Sequence, residues 1–301
     1  MKIAIVGAGA LGLYYGALLQ RSGEDVRFLL RRDYDAITRN GLTVFSVNGD
    51  FTLPQVRGYR APDEIGTVDL VLVGLKTFSN QLFAELIGPL VGGNTLILTL
   101  QNGLGNEEAL AELFGGERIM GGVAFLRSNR GQPGEVHHLG EGRITLGEYQ
   151  CCNPERVEHL LGMFTRAGVD CRPTEDLKRS RWEKLVWNIP FNGLCALLRQ
   201  PINLLLAKDA CRRLVLDIMQ EVITAANAQG LARPIAEAYA ETMLGITYKM
   251  GDYHPSMLID REEGRQLEIT AIFRKPLEYG RQQEIMMPRV EMLATLLEQI
   301  Q

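Results

Sequence analysis

Gly7-Ala8-Gly9-Ala10-Leu11-Gly12 constrains this 301-residue chain more than any other feature. It matches G-x-G-x-x-G. It follows an apolar, β-rich run (Lys2-Ile3-Ala4-Ile5-Val6) and opens a helical stretch from Ala10 to about Arg21, which Ser22-Gly23 stops. A strand buried on both faces that turns at once into a helix is the opening of a parallel α/β sheet. Gly7 permits the tight turn, Gly9 removes the side chain that would block a pyrophosphate, and Gly12 lets helix and strand pack closely. The helix N-terminus offers N–H groups and a positive dipole end to phosphates. Gly7, Ala8, Gly9, Ala10, Leu11 and Gly12 are therefore assigned to a dinucleotide.

The next strand, Val26–Leu30, ends in Arg31-Arg32-Asp33. Sites that prefer NAD usually carry Asp or Glu roughly 20 residues past the motif, to accept from the ribose 2′-hydroxyl. Here Leu30, Arg31 or Arg32 takes that position. A guanidinium suits a 2′-phosphate, which it binds in a forked geometry. The cofactor expected is NADP(H), with the two guanidiniums set for its 2′-phosphate. Asp33, close by, is the one residue that argues the other way.

Further buried strands are expected at Asp69–Leu75 and Thr95–Leu100, with a helical segment between them and another strand at Ile119–Phe125. Leu42–Val47 and Phe51–Val56 flank Asn48-Gly49-Asp50, a hairpin signal. Glu135–Leu139 and Arg143–Leu146 read as two strands joined through Gly140-Glu141-Gly142. Glu155–Arg166 is helical, and from Glu175 onward the periodicity is helical throughout. Alternating strands and helices give way to helices alone. The fold class is thus an α/β Rossmann-type dinucleotide-binding domain, 1–172, followed by an all-helical C-terminal domain, 173–301.

Net charge is −4, from 32 basic and 36 acidic residues, which gives no electrostatic case for nucleic acid or an anionic membrane as partner. No apolar run reaches the ~18 residues of a membrane span, and glycines interrupt the only run resembling a signal peptide. The five cysteines (Cys151, Cys152, Cys171, Cys195, Cys211) and the histidines His137, His138, His159 and His254 show no metal or disulfide spacing. They read as reduced thiols and ordinary histidines of a cytoplasmic protein with no metal. The last helices, 277–300, are apolar enough for either internal packing or a homodimer contact.

In open α/β sheets, ligands lie outside the carboxyl ends of strands. Leu75-Lys76-Thr77 and Gln101-Asn102-Gly103-Leu104-Gly105 follow two such strands directly, placing Lys76 and Asn102 where cofactor and substrate meet. In the second half, Lys184, Asn188 and Asn192 recur at i, i+4 and i+8 within a strongly apolar segment, which sets three polar groups on one helix face. Unpaired burial of such groups is costly. Either a polar substrate or packing hydrogen bonds would satisfy them. A desolvated lysine there can give up a proton near neutrality. Pro190 lies inside this helix and removes one backbone bond.

Five motifs in order, GAGALG at 7–12, LKT at 75–77, QNGLG at 101–105, KLVWNIPFN at 184–192 and SMLID…GRQLEI at 256–269, resemble the ketopantoate reductase family over nearly the whole chain. The resemblance implies a Rossmann domain, a helical domain and NADPH-dependent reduction of a 2-oxo acid, with ketopantoate the leading substrate. By the same resemblance, Lys184 is the general acid and Glu268 the carboxylate that holds the substrate hydroxyl and orients the lysine. Asn188, Asn192 and Ser256 position the substrate, and Arg31, Lys76 and Asn102 serve the cofactor side. The chain departs from the family's Asn-Pro-Leu-Thr-Ala at Asn192-Gly193-Leu194-Cys195-Ala196, and from its Asp…Asn-Gly at Thr270-Ala271-Ile272-Phe273-Arg274. A downstream asparagine has only Asn203 nearby, one residue out of register. These departures leave two further readings: a reductase of a different 2-oxo acid, and a non-catalytic NADP(H)-sensing protein.

Overall fold

The computed structural model describes residues 1–151 and 153–301; Cys152 lies outside the described residues. The chain forms two compact units, residues 1–101 with 106–177, and residues 102–105 with 178–301. The expected boundary at 172/173 falls near the end of the first unit. The short segment 102–105 goes with the second.

The first unit runs β1 (Lys2–Val6), α1 (Ala10–Arg21), β2 (Asp25–Leu29), α2 (Tyr34–Asn40), β3 (Leu42–Ser46), β4 (Phe51–Leu53), β5 (Arg57–Tyr59), β6 (Leu70–Val73), α3 (Phe83–Ile87), β7 (Leu96–Thr99), α4 (Asn106–Phe114), β8 (Ile119–Arg130), β9 (Glu135–Glu148), α5 (Pro154–Arg166) and β10 (Cys171–Pro173). One sheet holds the strands in the order β4-β3-β9-β8-β7-β6-β1-β2-β5, with β10 beside β9. The stretch from β8 to β5 is parallel throughout, and β3–β4 and β8–β9 are antiparallel. Strand residues alternate between two apolar layers. Ile3, Ile5, Leu70, Leu72 and Leu98 pack with Leu13, Tyr15 and Leu19 of α1. Ala4, Val6, Val71, Val73 and Ile97 pack with Phe83, Ile87 and Leu110 on the other face. This is why these strands read as unbroken apolar runs rather than alternating ones.

The hairpin expected at 48–50 joins β3 to β4. The pair of strands expected around Gly140-Glu141-Gly142 is instead one continuous strand, β9. Its long partner β8 runs past the glycines, and the ladder absorbs them as register shifts at Phe125/Leu126 and Arg127/Ser128. Gly140, Glu141 and Gly142 all take positive φ. The same residues that make a turn between free strands make a bulge when a neighbouring strand holds both sides.

His138 is buried on β9, its Nδ1 within 2.8 Å of Ser46 Oγ and 3.2 Å of the Tyr14 hydroxyl. No group of three or more His, Cys, Asp or Glu among the described residues is placed to hold a metal. Burial pushes the thiols of Cys171 and Cys195 up to about 12, which makes them poor nucleophiles. No helix among the described residues is long and apolar enough to cross a membrane.

The second unit holds α6 (Leu177–Leu198, whose first residue belongs to the first unit), α7 (Ile202–Leu206), α8 (Asp209–Asn227), α9 (Tyr239–Tyr248), α10 (Ser256–Glu262), a π turn at Thr270–Arg274, α11 (Lys275–Gln282) and α12 (Pro288–Gln299). Its core gathers Trp182, Val186, Ile189 and Phe191 of α6 with Met219 and Val222 of α8, Phe273, and Leu293 of α12. Helix α6 continues through Pro190. Gly193 has a packing reason: a Cβ there would lie 2.6 Å from Leu293 Cδ2 and 3.0 Å from Phe273 Cε1.

The glycine motif works by close approach. Gly7 has φ +99°, and a Cβ there would sit 2.3 Å from the backbone nitrogen of Leu75. A Cβ on Gly12 would sit 2.3 Å from the Gly7 carbonyl oxygen, whereas one on Gly9 would meet nothing within 4 Å. Gly12→Ala must therefore push α1 off β1. We expect a loss of about 1–3 kcal/mol, read as a lower Tm in a thermal melt. Gly9→Ala should leave Tm unchanged.

Candidate active site

In the first unit the candidate residues cluster at neighbouring strand ends. β1 pairs in parallel with β6 on one side and β2 on the other, so the glycine loop lies between Lys76 after β6 and Arg31 after β2. Gly9 caps α1 through its backbone alone, with no side-chain cap bond, and the first turn of α1 carries no acidic residue. The open space over Gly9 and the uncapped helix end suit a diphosphate. Lys76 is partly buried and directly precedes the 3₁₀ turn Thr77–Leu82. Arg31 is exposed. Asp33 is not: it is 3% exposed and paired with Arg130 of β8. The carboxylate that argued for NAD is thus turned inward.

A chain of side-chain hydrogen bonds that no sequence spacing announces fixes the far end of this row. The Thr99 hydroxyl donates to Gln101 Oε1 (3.0 Å), Gln101 Nε2 to Asn80 Oδ1 (2.9 Å), and Asn80 Nδ2 to Asn106 Oδ1 (2.9 Å). These four residues tie the end of β7 to the start of α4. Only Gln101 belongs to a motif; Asn80 and Asn106 sit at spacings that carry no signal.

In the second unit, α6 carries the expected polar stripe. Asn188 and Asn192 are 3% and 2% exposed, while Lys184 is partly exposed. Lys184 Nζ donates to Asn102 Oδ1 at 2.6 Å. Asn102, expected on the cofactor side, is held here by its own loop. Gly103, at φ +80°, lies where a Cβ would be 2.4 Å from the Ala271 carbonyl oxygen, and Leu104 N donates to that same oxygen at 3.0 Å. The loop therefore seats on the π turn, and the residues that depart from the family at 270–274 are those that receive it. Glu268, 3% exposed, immediately precedes the helical residues leading into that turn. Single π turns of this kind re-aim side chains and are frequent at functional sites.

Asn192 Oδ1 accepts from the Ser256 hydroxyl (3.4 Å) and from Met257 N (3.3 Å), which ties the start of α10 to α6. Asn188 Nδ2 is buried with no hydrogen-bond partner. A buried amide donor left unpaired costs about 1–3 kcal/mol, so this one implies a ligand or a water. Asn203 does not join the stripe: it is exposed, and its Oδ1 accepts from Leu204 N at 2.9 Å.

Burial pushes the Lys184 amine down to about 7. The Arg181 guanidinium one turn earlier adds to that, and the Glu268 carboxylate opposes it. The amine is poised between its two protonation states near neutral pH, as proton transfer in either direction requires. The shift also carries a cost to stability. The folded value lies below the unfolded one, so the penalty is absent above about 10.5, grows as pH falls, and is complete below about 7. Lys184→Met should therefore raise stability at pH 6, by on the order of 5 kcal/mol before the lost Asn102 bond is subtracted, and change it least near pH 10.5. Urea unfolding at the two pH values measures the difference.

The family model described as "Ketopantoate reductase PanE/ApbA" matches residues 3–150, and that for the C-terminal part of the same family matches residues 176–301. The chain is 43% identical over 297 residues to a 2-dehydropantoate 2-reductase of a Nostoc species, covering 97% of this chain and 92% of that protein. It superposes with a TM-score of 0.99, at 72% identity and full coverage of both chains, on a crystal structure of 2-dehydropantoate 2-reductase from Geobacter metallireducens. A crystal structure of the enzyme of the same name from Methylococcus capsulatus gives a TM-score of 0.90 at 32% identity, covering 100% of this chain and 96% of that one. With both halves matched in order, the chain belongs to the ketopantoate reductase family.

Proposed function

We propose that this chain is an oxidoreductase that reduces 2-dehydropantoate to pantoate, with NADPH as reductant. The observation that carries the reading is the Lys184 amine, shifted to about 7 and hydrogen-bonded to Asn102. It shares one helix face with a buried amide donor, Asn188, that has no protein partner. The names of the relatives supply the substrate.

NADPH, when bound, supplies the hydride that reaches the ketone carbon. Gly7, Ala8, Gly9, Ala10, Leu11 and Gly12 take its diphosphate, Arg31 its 2′-phosphate, and Lys76 the same side of the site. Lys184 gives the ketone oxygen a proton, so that carbon and oxygen each gain one hydrogen and the 2-oxo acid becomes a 2-hydroxy acid. In its charged form the same amine stabilises the negative charge growing on that oxygen, and the effect is larger where water is excluded. Asn102 holds the amine in place. The Glu268 carboxylate favours the charged form of the Lys184 amine and accepts from the substrate hydroxyl. Asn188 supplies its unpaired N–H₂, and Ser256, fixed through Asn192, faces the substrate carboxylate.

The departures from the family at Gly193 and 270–274 lie in the packing around these groups, so a different 2-oxo acid is the second reading. A cytoplasmic location is consistent with Cys151, Cys171, Cys195 and Cys211 all being free thiols. For a homodimer, the exposed apolar groups of residues 277–300 are Met286, between α11 and α12, and Met292 and Leu296 of α12, while Val290, Leu293 and Leu297 serve the core. The three exposed groups are the contact that sedimentation of a Met292→Glu protein would test.

NADPH oxidation followed by absorbance, with 2-dehydropantoate and a panel of other 2-oxo acids, tests the function. Turnover with 2-dehydropantoate should dominate, and Lys184→Ala should lower kcat by about 10²–10⁴-fold. Activity confined to another 2-oxo acid would move the substrate. Binding of NADPH with no turnover would leave a sensor. Lys184 must be protonated to act, so kcat/KM should be level in acid and fall tenfold per pH unit above about 7. That limb should vanish from the residual activity of Lys184→Ala.

A further inference from the structure

Asp33 is the N-cap residue of α2, a position where an aspartate normally accepts a hydrogen bond from the first helical turn. Here its side chain makes no cap bond. It points inward, is 3% exposed, and pairs with Arg130, which arrives from the end of β8 with 29% of its side chain exposed. The other carboxylate oxygen, Oδ1, is buried with no hydrogen-bond partner. The nearest other cation to it is Arg32 Nε, at 4.0 Å and largely exposed. The next acidic group along, Asp35, is held by Arg60 at 3.0 Å and Arg39 at 4.0 Å. Arg31 makes no ion pair among the described residues. Each carboxylate at the end of β2 is therefore matched by an arginine from elsewhere, and Arg31 is left unmatched.

The strand end that reads the ribose thus contains a carboxylate of the kind that accepts from a 2′-hydroxyl and repels a 2′-phosphate. Its charge is cancelled by a residue from the opposite part of the sheet. We propose that Arg130 is a specificity-determining positioning residue: by drawing Asp33 inward and neutralising it, Arg130 sets the preference for a dinucleotide bearing a 2′-phosphate. The inference rests on the NADPH reading above. Arg130 acts through Asp33 and leaves the phosphate itself to Arg31. Without Arg130, Asp33 would be a desolvated, uncompensated charge, and it would swing out toward water, where Arg31 and the ribose lie.

Calorimetric titration of the whole protein with NADP⁺ and with NAD⁺ tests this without turnover. Arg130→Met should weaken NADP⁺ binding on the order of tenfold while NAD⁺ stays within about twofold. Asp33→Asn in the Arg130→Met background should restore NADP⁺ binding. Asp33→Asn alone should keep the NADP⁺ to NAD⁺ ratio at or above that of the unaltered protein, which provides a test should Arg130→Met fail to fold. Arg130→Lys should hold the ratio within about threefold. An equal loss for both dinucleotides in Arg130→Met, an unchanged ratio, or no recovery in the double variant would each overturn the role of Arg130 and leave the NADPH reading intact. An unaltered protein that binds NADP⁺ no tighter than NAD⁺ would overturn the NADPH reading itself.

Discussion

The first unit is organised around one close approach of backbone to backbone. Three pieces of chain meet at the end of β1: the turn at Gly7, the start of α1 at Gly12, and the end of β6 at Gly74 and Leu75. The separations leave no room for a side chain at Gly7 or Gly12. With the turn held that tightly, α1 lies against β1 and its N-terminus opens toward the space above Gly9. The parallel pairing of β1 with β2 and β6 then sets Arg31 and Lys76 to either side of the loop. Neither basic residue needs a special local conformation of its own; their places follow from the register of the sheet.

A different physical problem shapes the second unit. A lysine and two asparagines sit on one face of a long apolar helix, and each has to be reconciled with burial. Asn192 is satisfied by capping α10, Lys184 by Asn102 and the influence of Glu268, and Asn188 only in part. The segment 102–105 is what makes this workable. It brings an amide oxygen to the lysine and is itself seated on the π turn through Gly103 and Leu104. Burial, and after it Arg181, lower the basicity of the amine, and Glu268 checks the fall, so the group is left near its midpoint at neutral pH. The same desolvation that tunes the group destabilises the folded state, a trade that reactive sites commonly show.

Electrostatic compensation recurs at the nucleotide end. The second strand ends in two arginines followed by an aspartate, and read as a string the three residues conflict. In three dimensions Arg130 removes the conflict by taking the aspartate out of play. Asp33, two places from Arg31 in the sequence, is thus paired by a residue 97 positions away.

Much of this was legible in the sequence because it rests on short-range order. The G-x-G-x-x-G turn, the buried strands, the helical second half and the Lys184-Asn188-Asn192 stripe all follow from spacing within one element. The order of five motifs along the chain carried the family. What the sequence could not settle depended on partners distant along the chain. Gly140-Glu141-Gly142 has the composition of a turn and became a bulge because β8 spans it. Asn102 has the place of a cofactor residue, yet it bonds a lysine 82 residues away. Asn80 and Asn106 have no local pattern at all, and they bond each other only when the sheet is assembled. Local chemistry chose the elements and the reactive groups. Tertiary structure chose which of those groups face one another, because register, burial and charge pairing are properties of the packed sheet and bundle and not of any single segment.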